Sequence, residues 1–444
     1  MKTPYHYQKP VIEYLKNRAN SACFLEMRLG KSLCVIRALK NQPGRKLVVC
    51  PKSVIETWKE ELNEEGIISD GFSSEGLGKR IWIPMYFISS PYWWVCNYEA
   101  AMRIPERWLK QIDTVIIDES TAIKNPKAQL TKFFLNNFDH TNKIILSGNP
   151  APNHELEYVP QMLFLYKTWL GCKNYWEVRG KYFQSDWMKY NWWIKPKFKD
   201  VFKQQLHKDA YILTRKDVGV ENKKVYEKRL VEMPKPLRCH YNEMEKMFLT
   251  SLPSGEEIET QSVLAKLNYL SQIAGGHLKN QQFSNFKLKE LENLLIGELK
   301  GEKLIIWAAY LVEVDEILKL LEKLKINACE ITGRNPTMRD VIRKRFQEYD
   351  ELDILVIQAS TGSLGLKLDK ADTCIYYSNT NSIQDRDQSE ARIQANWKKH
   401  PLLFLDLVTA NSIDVDKLTV LKRKKKQSSF YLEMVGGMCE RTKV

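Results

Sequence analysis

Lys31 and Ser32 end the stretch Phe24-Leu25-Glu26-Met27-Arg28-Leu29-Gly30-Lys31-Ser32, where an apolar approach runs into Gly-Lys-Ser and a helix-forming segment, Leu33 to Leu39, follows at once. Backbone N–H groups at a helix N-terminus favour an anion. An ammonium at Lys31 reaches terminal phosphates, and a hydroxyl at Ser32 ligates Mg²⁺. The full pattern G-x-x-x-x-G-K-[ST] is not met, because Leu25 stands where the first glycine belongs. The second pair of interest is Asp118-Glu119, which closes the apolar run Thr114–Ile117. A nucleoside triphosphatase needs one carboxylate for Mg²⁺ and another to orient or deprotonate the attacking water. Asp118 suits the metal and Glu119 the water. Each signal alone has a bland explanation, a helix start or a strand exit. Together, and in this order, they point to nucleotide hydrolysis.

The surrounding elements must place those groups at one edge of a sheet. Lys46–Cys50, Thr114–Ile117 and Lys143–Leu146 read as short buried strands, each ending in polar or small residues: Pro51-Lys52-Ser53, Asp118-Glu119-Ser120, Ser147-Gly148-Asn149. Strands buried on both faces of a parallel sheet look like this, and ligands of such sheets lie beyond the strand carboxyl ends. From about 158 to 202 aromatics interleave with Lys and Arg, among them Trp169, Trp176, Arg179, Trp187, Trp192 and Trp193. That texture fits either a helical subdomain or a stacking and phosphate-binding surface. Residues 216–236 carry charge, two prolines and little periodicity, and read as a linker. A helical stretch, Asn242 to Ala274, follows and stops at Gly275-Gly276. A second alternating series comes next, with strands at Lys303–Trp307, Ala328–Ile331, Ile354–Gln358, Thr373–Tyr377 and Leu402–Leu405 and helices at Val312–Leu324 and Thr337–Tyr349. The expected architecture is α/β, with two tandem parallel-sheet domains at 1–215 and 237–430, a helical insertion at 158–202 and a tail at 431–444.

The totals narrow the class. A chain of 444 residues suits two or three domains. The hydrophobic share is 43% and the charged share 27%, as in soluble globular proteins. Sixty-eight Lys and Arg against 54 Asp and Glu leave a formal charge of +14, which draws polyanions, nucleic acid first among them. Nine cysteines without a C-x-x-C argue against a zinc site or a disulfide framework and for a reducing compartment. No apolar run reaches the ~18 residues of a membrane span. A cytoplasmic protein without membrane contact is expected, with the nucleus left open.

An ordered set of motifs then resembles the Swi/Snf-type ATPases of helicase superfamily two, in the compact form found in phages and bacteria. Tyr5-His6-Tyr7-Gln8 looks like the adenine-reading motif and 26–32 like motif I. Val48–Ser53 with Trp58 looks like motif Ia, Asn97-Tyr98-Glu99 like motif Ib, and Asp118-Glu119-Ser120-Thr121 with Ile123-Lys124-Asn125 like the DEAH-type box. Ser147-Gly148-Asn149-Pro150 stands where the family has T-G-T-P, and Leu213-Thr214-Arg215-Lys216 resembles the turn leaving the first domain. In the second half Leu304–Tyr310 resembles motif IV, Ile331-Thr332-Gly333-Arg334 the segment after it, 361–366 motif V and 388–392 motif VI.

The resemblance implies two RecA-like domains that use ATP with Mg²⁺ and move on DNA, double-stranded or branched, in replication, recombination or repair. It implies catalytic roles for Lys31, Asp118, Glu119 and Arg392. It implies nucleotide contacts from Tyr5, Gln8, Arg28, Leu29, Gly30, Lys31, Ser32, Gly362, Gly365, Gln388 and Arg392, with Mg²⁺ on Ser32 and Asp118. Nucleic-acid contacts fall to Pro51, Lys52, Ser53, Asn97, Tyr98, Thr332, Gly333, Arg334, Ser360 and Thr361. A monomer is implied, with replication or recombination proteins as its partners. The departures are Arg28 for a glycine, Thr121 for histidine, Lys367 for asparagine, and Ala395 where motif VI carries its second arginine. Arg386, Arg392 or Lys398 could substitute for that arginine. Two alternatives stay open: a clamp that binds ATP with little hydrolysis, and a strand-separating or annealing helicase on forked DNA or RNA.

Overall fold

Short β-branched runs dictate both sheets. In the computed structural model, which describes residues 3–73, 92–187, 192–247, 249–251, 257–259, 263–279, 281–361 and 366–423, the chain divides into two units that meet between Glu221 and Asn222. The first contains β1 (Asn20–Leu25), β2 (Lys46–Cys50), β3 (Ser69–Phe72), β4 (Trp93–Asn97), β5 (Thr114–Asp118), β6 (Asn142–Leu146), the antiparallel pair β7 (Phe183–Ser185) and β8 (Trp192–Ile194), and β9 (Ala210–Leu213). Seven of these form one sheet in the order β3-β4-β2-β5-β6-β1-β9. Every pairing in it is parallel. Strand alternation explains its two-sided burial. Leu47, Val49 and Ile117 enter the core on one face, while Val48, Cys50 and Ile116 enter the core on the other. All the strand carboxyl ends therefore share one edge, where the polar turns lie.

The second unit holds β10 (Lys224–Val231), the hairpin of β11 (Leu249–Ser251) and β12 (Glu257–Glu259), the pair β13 (His277–Leu278) and β14 (Gln281–Gln282), then β15 (Leu304–Ala308), β16 (Ala328–Ile331), β17 (Ile354–Gln358), β18 (Thr373–Tyr376) and β19 (Leu402–Thr409). Its sheet runs β10-β19-β18-β15-β17-β16, again all parallel. Ile305, Trp307 and Leu355 face one core, and Leu304, Ile306 and Val356 the other.

Three expectations about organisation need correction. The stretch 216–236 is not a plain linker, because β10 pairs with β19 over eight residues and a helix starts at Lys235. An edge strand half open to solvent carries charge on its free side, and Lys-Val-Tyr-Glu-Lys-Arg-Leu-Val hides its pattern that way. The helical stretch from 242 is interrupted, since Lys235–Met247 and Val263–Gly275 flank the β11–β12 hairpin. The insertion at 158–202 is not purely helical. Its first helix, Tyr158–Leu165, is buried at all eight positions, as an all-round apolar helix must be, and β7–β8 form a hairpin within it. Among the described residues no helix is long and apolar enough to cross a membrane.

Candidate active site

The turn from β1 into the helix Lys31–Leu39 forms the phosphate loop. Two of its residues take left-handed backbone, Arg28 at φ 70° and Gly30 at φ 80°. Glycine does this freely, whereas an arginine pays ~1–2 kcal/mol. That is the physical content of the glycine expected at 28. Gly30 is constrained twice, because a Cβ there would lie 2.3 Å from Gln8 Nε2. Gln8 is buried against the loop: its Nε2 donates to the Leu29 carbonyl at 3.0 Å, and its Oε1 accepts the Tyr5 N–H at 2.9 Å. Tyr5 itself is exposed and stacks on Tyr7, with ring centroids 5.5 Å apart. Leu29 is wholly buried, so only its backbone faces the loop. Lys31 Nζ donates to the Leu25 carbonyl at 3.1 Å, and a Cβ on Gly148 would come within 3.4 Å of the same Nζ. The turn after β6 thus closes on the lysine.

Asp118 ends β5 at the same sheet edge. Its Oδ2 accepts from Trp58 Nε1 at 2.8 Å and its Oδ1 from the Glu119 N–H at 3.0 Å. Burial raises its pKa, opposed by the Lys31 charge and by those two donors. Glu119 adopts left-handed backbone, φ 55° and ψ 59°, and starts a 3-10 turn over Ser120–Ile123. A buried hydroxyl holds this strained step: Tyr98 donates to the carbonyls of both Asp118 and Glu119. Burial, aided by the Asp118 charge, pushes the phenol well above its ordinary pKa and keeps it a donor. Ser120 Oγ donates to Gln161 Oε1 at 2.6 Å, and Gln161 Nε2 donates to the Pro150 carbonyl at 2.7 Å. One buried amide therefore ties the acidic turn to the turn that carries Gly148.

In the second unit the helix Ile383–Arg392 is capped by Ser382, whose side chain accepts from the Asp385 N–H at 3.1 Å. Arg386 is buried within it. It makes a two-pronged bond to Asp406 at 2.6 and 3.1 Å, reaches Glu390 at 3.0 Å, and lies 3.4 Å from the Tyr376 ring centroid. Lys398 is buried too, donating to the carbonyls of Ala371 and Ile393 at 2.6 and 2.9 Å and pairing with Asp372 at 2.7 Å. Ala395 is buried, and its carbonyl accepts from Asn222 Nδ2 at 3.0 Å. Arg392 is half-buried in the last turn of the helix. Gln388 is buried, and its Oε1 has no hydrogen-bond partner among the described residues.

Comparison with known proteins gives this arrangement a family. A model of the SNF2-related domain matches residues 97–279, and one of the helicase conserved C-terminal domain matches 286–394. The chain carries an SNF2-related domain followed by a helicase conserved C-terminal domain. The DNA repair and recombination protein RDH54 of Saccharomyces cerevisiae is 23% identical over 436 residues, which are 89% of this chain and 47% of that protein. The probable ATP-dependent DNA helicase CHR12 of Arabidopsis thaliana is 23% identical over 462 residues, 94% of this chain and 40% of that one. The chain spans about half the length, or less, of these relatives. A solved Sulfolobus solfataricus SWI2/SNF2 ATPase core in complex with dsDNA is 18% identical at a TM-score of 0.45, the match covering 98% of this chain and 95% of that one.

Several residues that the SNF2-related motifs mark for nucleic acid do other work here. Asn97 is buried and bonds Glu99, and Tyr98 is buried beneath the acidic turn. Trp58 is buried and serves Asp118. Thr332 is fully buried, its hydroxyl accepting from the Arg334 N–H at 3.2 Å. Arg334 is paired with Asp315 at 2.6 Å and Glu330 at 3.1 Å, and Thr361 donates to the Gln358 carbonyl at 2.6 Å. Pro51, Lys52 and Ser53 do lie at the carboxyl edge beyond β2, with Lys52 exposed, and Gly333 opens to solvent. Gly362 and Gly365 lie outside the described residues, as does the side chain of Ser360. Sequence reasoning missed the donor roles of Tyr98 and Trp58 and the bridge at Gln161. The one available signal was chemical, since a buried phenol or indole needs an acceptor. No group of three or more His, Cys, Asp or Glu capable of holding a metal occurs among the described residues.

Proposed function

We propose that the chain is a DNA-stimulated ATPase that translocates on duplex or branched DNA in replication, recombination or repair. One observation carries the reading: Lys31 and the Asp118-Glu119 turn stand at one sheet edge, close enough that the Lys31 charge opposes the rise in pKa that burial imposes on Asp118. The two matched domains and the charge of +14 support the nucleic-acid track.

In this reading the nine-residue helix Lys31–Leu39 presents its N-terminal N–H groups to the ATP phosphates, and Lys31 leaves the Leu25 carbonyl to bind them. Tyr5 and Gln8 flank the base. The hydroxyl of Ser32 and the carboxylate of Asp118 are hard oxygen ligands of the kind Mg²⁺ takes. Asp118 retains acceptor capacity beyond its bonds to Trp58 and Glu119. Bound there, Mg²⁺ supplies neutralisation of phosphate charge. Glu119 orients and deprotonates the attacking water. Arg392 takes the cationic role of motif VI, because Arg386 and Lys398 are committed to buried partners. Steady-state ATPase assays with duplex, forked and single-stranded DNA test the proposal. DNA must raise turnover, and Lys31→Ala and Glu119→Gln must abolish it; undiminished turnover in both variants overturns the reading.

The buried Ala395 favours one second reading, a clamp that binds ATP and hydrolyses it little. Single-turnover hydrolysis with saturating DNA separates the two, since a clamp gives the rate of buffer.

A further inference from the structure

The segment between the helices Tyr158–Leu165 and Lys199–Asp209 carries a surface that nucleotide chemistry does not use. The Arg179 guanidinium carbon lies 4.5 Å from the ring centroids of both Trp176 and Trp192, and Lys127 Nζ lies 5.7 Å from the Trp176 ring. Local structure builds this ladder of alternating cations and indoles. Asn174 caps the helix Tyr175–Tyr182 by accepting from the N–H groups of Trp176 and Glu177. Trp176 and Arg179 then share a face at three-residue spacing. Trp192 arrives from β8, set opposite Ser185 of β7.

Exposed cation–π pairs contribute only ~0.5–1 kcal/mol each to stability, and three features go beyond packing. The Arg179 guanidinium has no hydrogen-bond or ion-pair partner among the described residues. The nearest acid in sequence, Glu177, spends its carboxylate on the Lys173 N–H and the Asn174 amide. Trp176 is 47% exposed, whereas Trp192 packs partly on the core. Residues 166–199 contain eight Lys and Arg against two Asp and Glu. Lys127 also follows closely on the 3-10 turn that leaves Glu119, so the ladder adjoins the acidic turn along the chain.

We propose that this ladder is a contact for unpaired nucleotides, with a base stacked on Trp176, a phosphate accepting from Arg179, and Lys127 beside the next phosphate. The indole is the determinant of strand state, because every unpaired base offers a π-face and a duplex hides it. Guanidinium pairs with phosphate through two parallel bonds. The proposal rests on the nucleic-acid reading above and adds to it a preference for forked over blunt duplex.

The test is fluorescence anisotropy with a labelled blunt duplex and a fork of equal length bearing one single-stranded arm. Stacking contributes ~1–3 kcal/mol per base, so Trp176→Ala weakens the fork by about 5- to 150-fold. Blunt duplex binding and duplex-stimulated ATPase stay at wild-type values. Arg179→Ala lowers the log–log salt slope on single strands by ~0.7. Arg179→Lys and Lys127→Ala, which leave both indoles in place, carry the test if Trp176→Ala fails to fold, and each must lose fork affinity selectively. Equal loss on fork and duplex, no loss on either, or competition by polyglutamate as effective as by single-stranded DNA overturns the proposal. Normal DNA-stimulated turnover with unchanged fork binding removes the ladder and leaves the motor. Trp176-dependent fork binding without DNA-stimulated turnover does the reverse.

Discussion

Tyr98→Phe removes one oxygen and keeps the ring that packs edge-on to Phe134 at 6.2 Å. The lost hydroxyl is the donor to the carbonyls of Asp118 and Glu119. The Glu119 carbonyl keeps the Ala122 N–H at 3.0 Å, so the loss falls on the Asp118 carbonyl, and depriving a buried acceptor of its donor costs ~1–3 kcal/mol. The left-handed conformation of Glu119 stores a further ~1–2 kcal/mol, which relaxation of the turn releases once the donor is gone. A loss of ~2 kcal/mol lowers the melting temperature by ~4–8 °C in a domain of roughly 150–250 residues. Relaxation also swings the Glu119 carboxylate away from the water it is proposed to position. A loss of ~1.4–2.7 kcal/mol of transition-state stabilisation corresponds to a fall in kcat of ~10–100-fold. The Gly30–Ser32 loop is untouched, so KM for ATP stays within about twofold. Steady-state ATPase at saturating DNA, paired with thermal melting, reads both effects. Wild-type kcat and melting together would refute the reasoning, and a change in KM alone would move Tyr98 to the binding loop.

Arg392→Ala and Arg386→Met should part company. The first leaves melting unchanged and lowers turnover by ~10³-fold, the lower bound for loss of an arginine finger. The second strips a buried charge from Asp406 and Glu390 and destabilises the second unit by ~3–5 kcal/mol, seen as early melting. The pH dependence of stability should follow His277, whose pKa burial, with the Lys287 charge, depresses from 6.5 to about 4. The unfolded chain then binds the proton first. The contribution is complete above pH ~6.5 and is lost as pH falls toward 4, by up to ~3 kcal/mol. Glu313, 3.9 Å from the same ring and raised by burial, works in the opposite sense and makes the slope shallower. Denaturant midpoints at pH 7 and 5 measure it; a midpoint that rises on acidification would contradict this sign.

What could be read from the chain depended on how local the physics was. β2 and β17 fall where their apolar runs place them, and β5 and β6 differ by one residue, because a strand buried on both faces is written in consecutive side chains. Gly30-Lys31-Ser32 and Asp118-Glu119 were legible for the same reason. The groups that hold them were not. Trp58 is 60 residues from Asp118 in sequence, Tyr98 is 20 from its first acceptor, and Gln161 is 41 from Ser120. Such pairings arise when sheet order brings β2, β4 and β5 side by side, which periodicity does not encode. Basic side chains near motif VI looked interchangeable in the sequence. Burial separates them, since Arg386 and Lys398 sit where an unpaired charge would be prohibitive.

The departures from the family pattern divide by what each position must supply. Position 28 supplies backbone shape. The loop takes positive φ there, and Arg28 adopts it, so the backbone shape is kept at the expense of strain. Position 121 supplies local packing: Thr121 is buried, with its hydroxyl 3.5 Å from the Glu119 carbonyl, and it extends the support that Tyr98 provides. Position 395 supplies charge, and neither shape nor packing replaces that. An arginine there would have to displace a buried methyl beside a carbonyl already bound by Asn222. Among the departures at 28, 121 and 395, Ala395 is the one that withdraws an arginine from the pattern, so the proposed cationic burden on Arg392 is the one that turnover must reveal. Restoring glycine at 28 should alter stability far more than rate, whereas Arg392→Lys should alter rate far more than stability, because lysine keeps the charge and loses the planar fork.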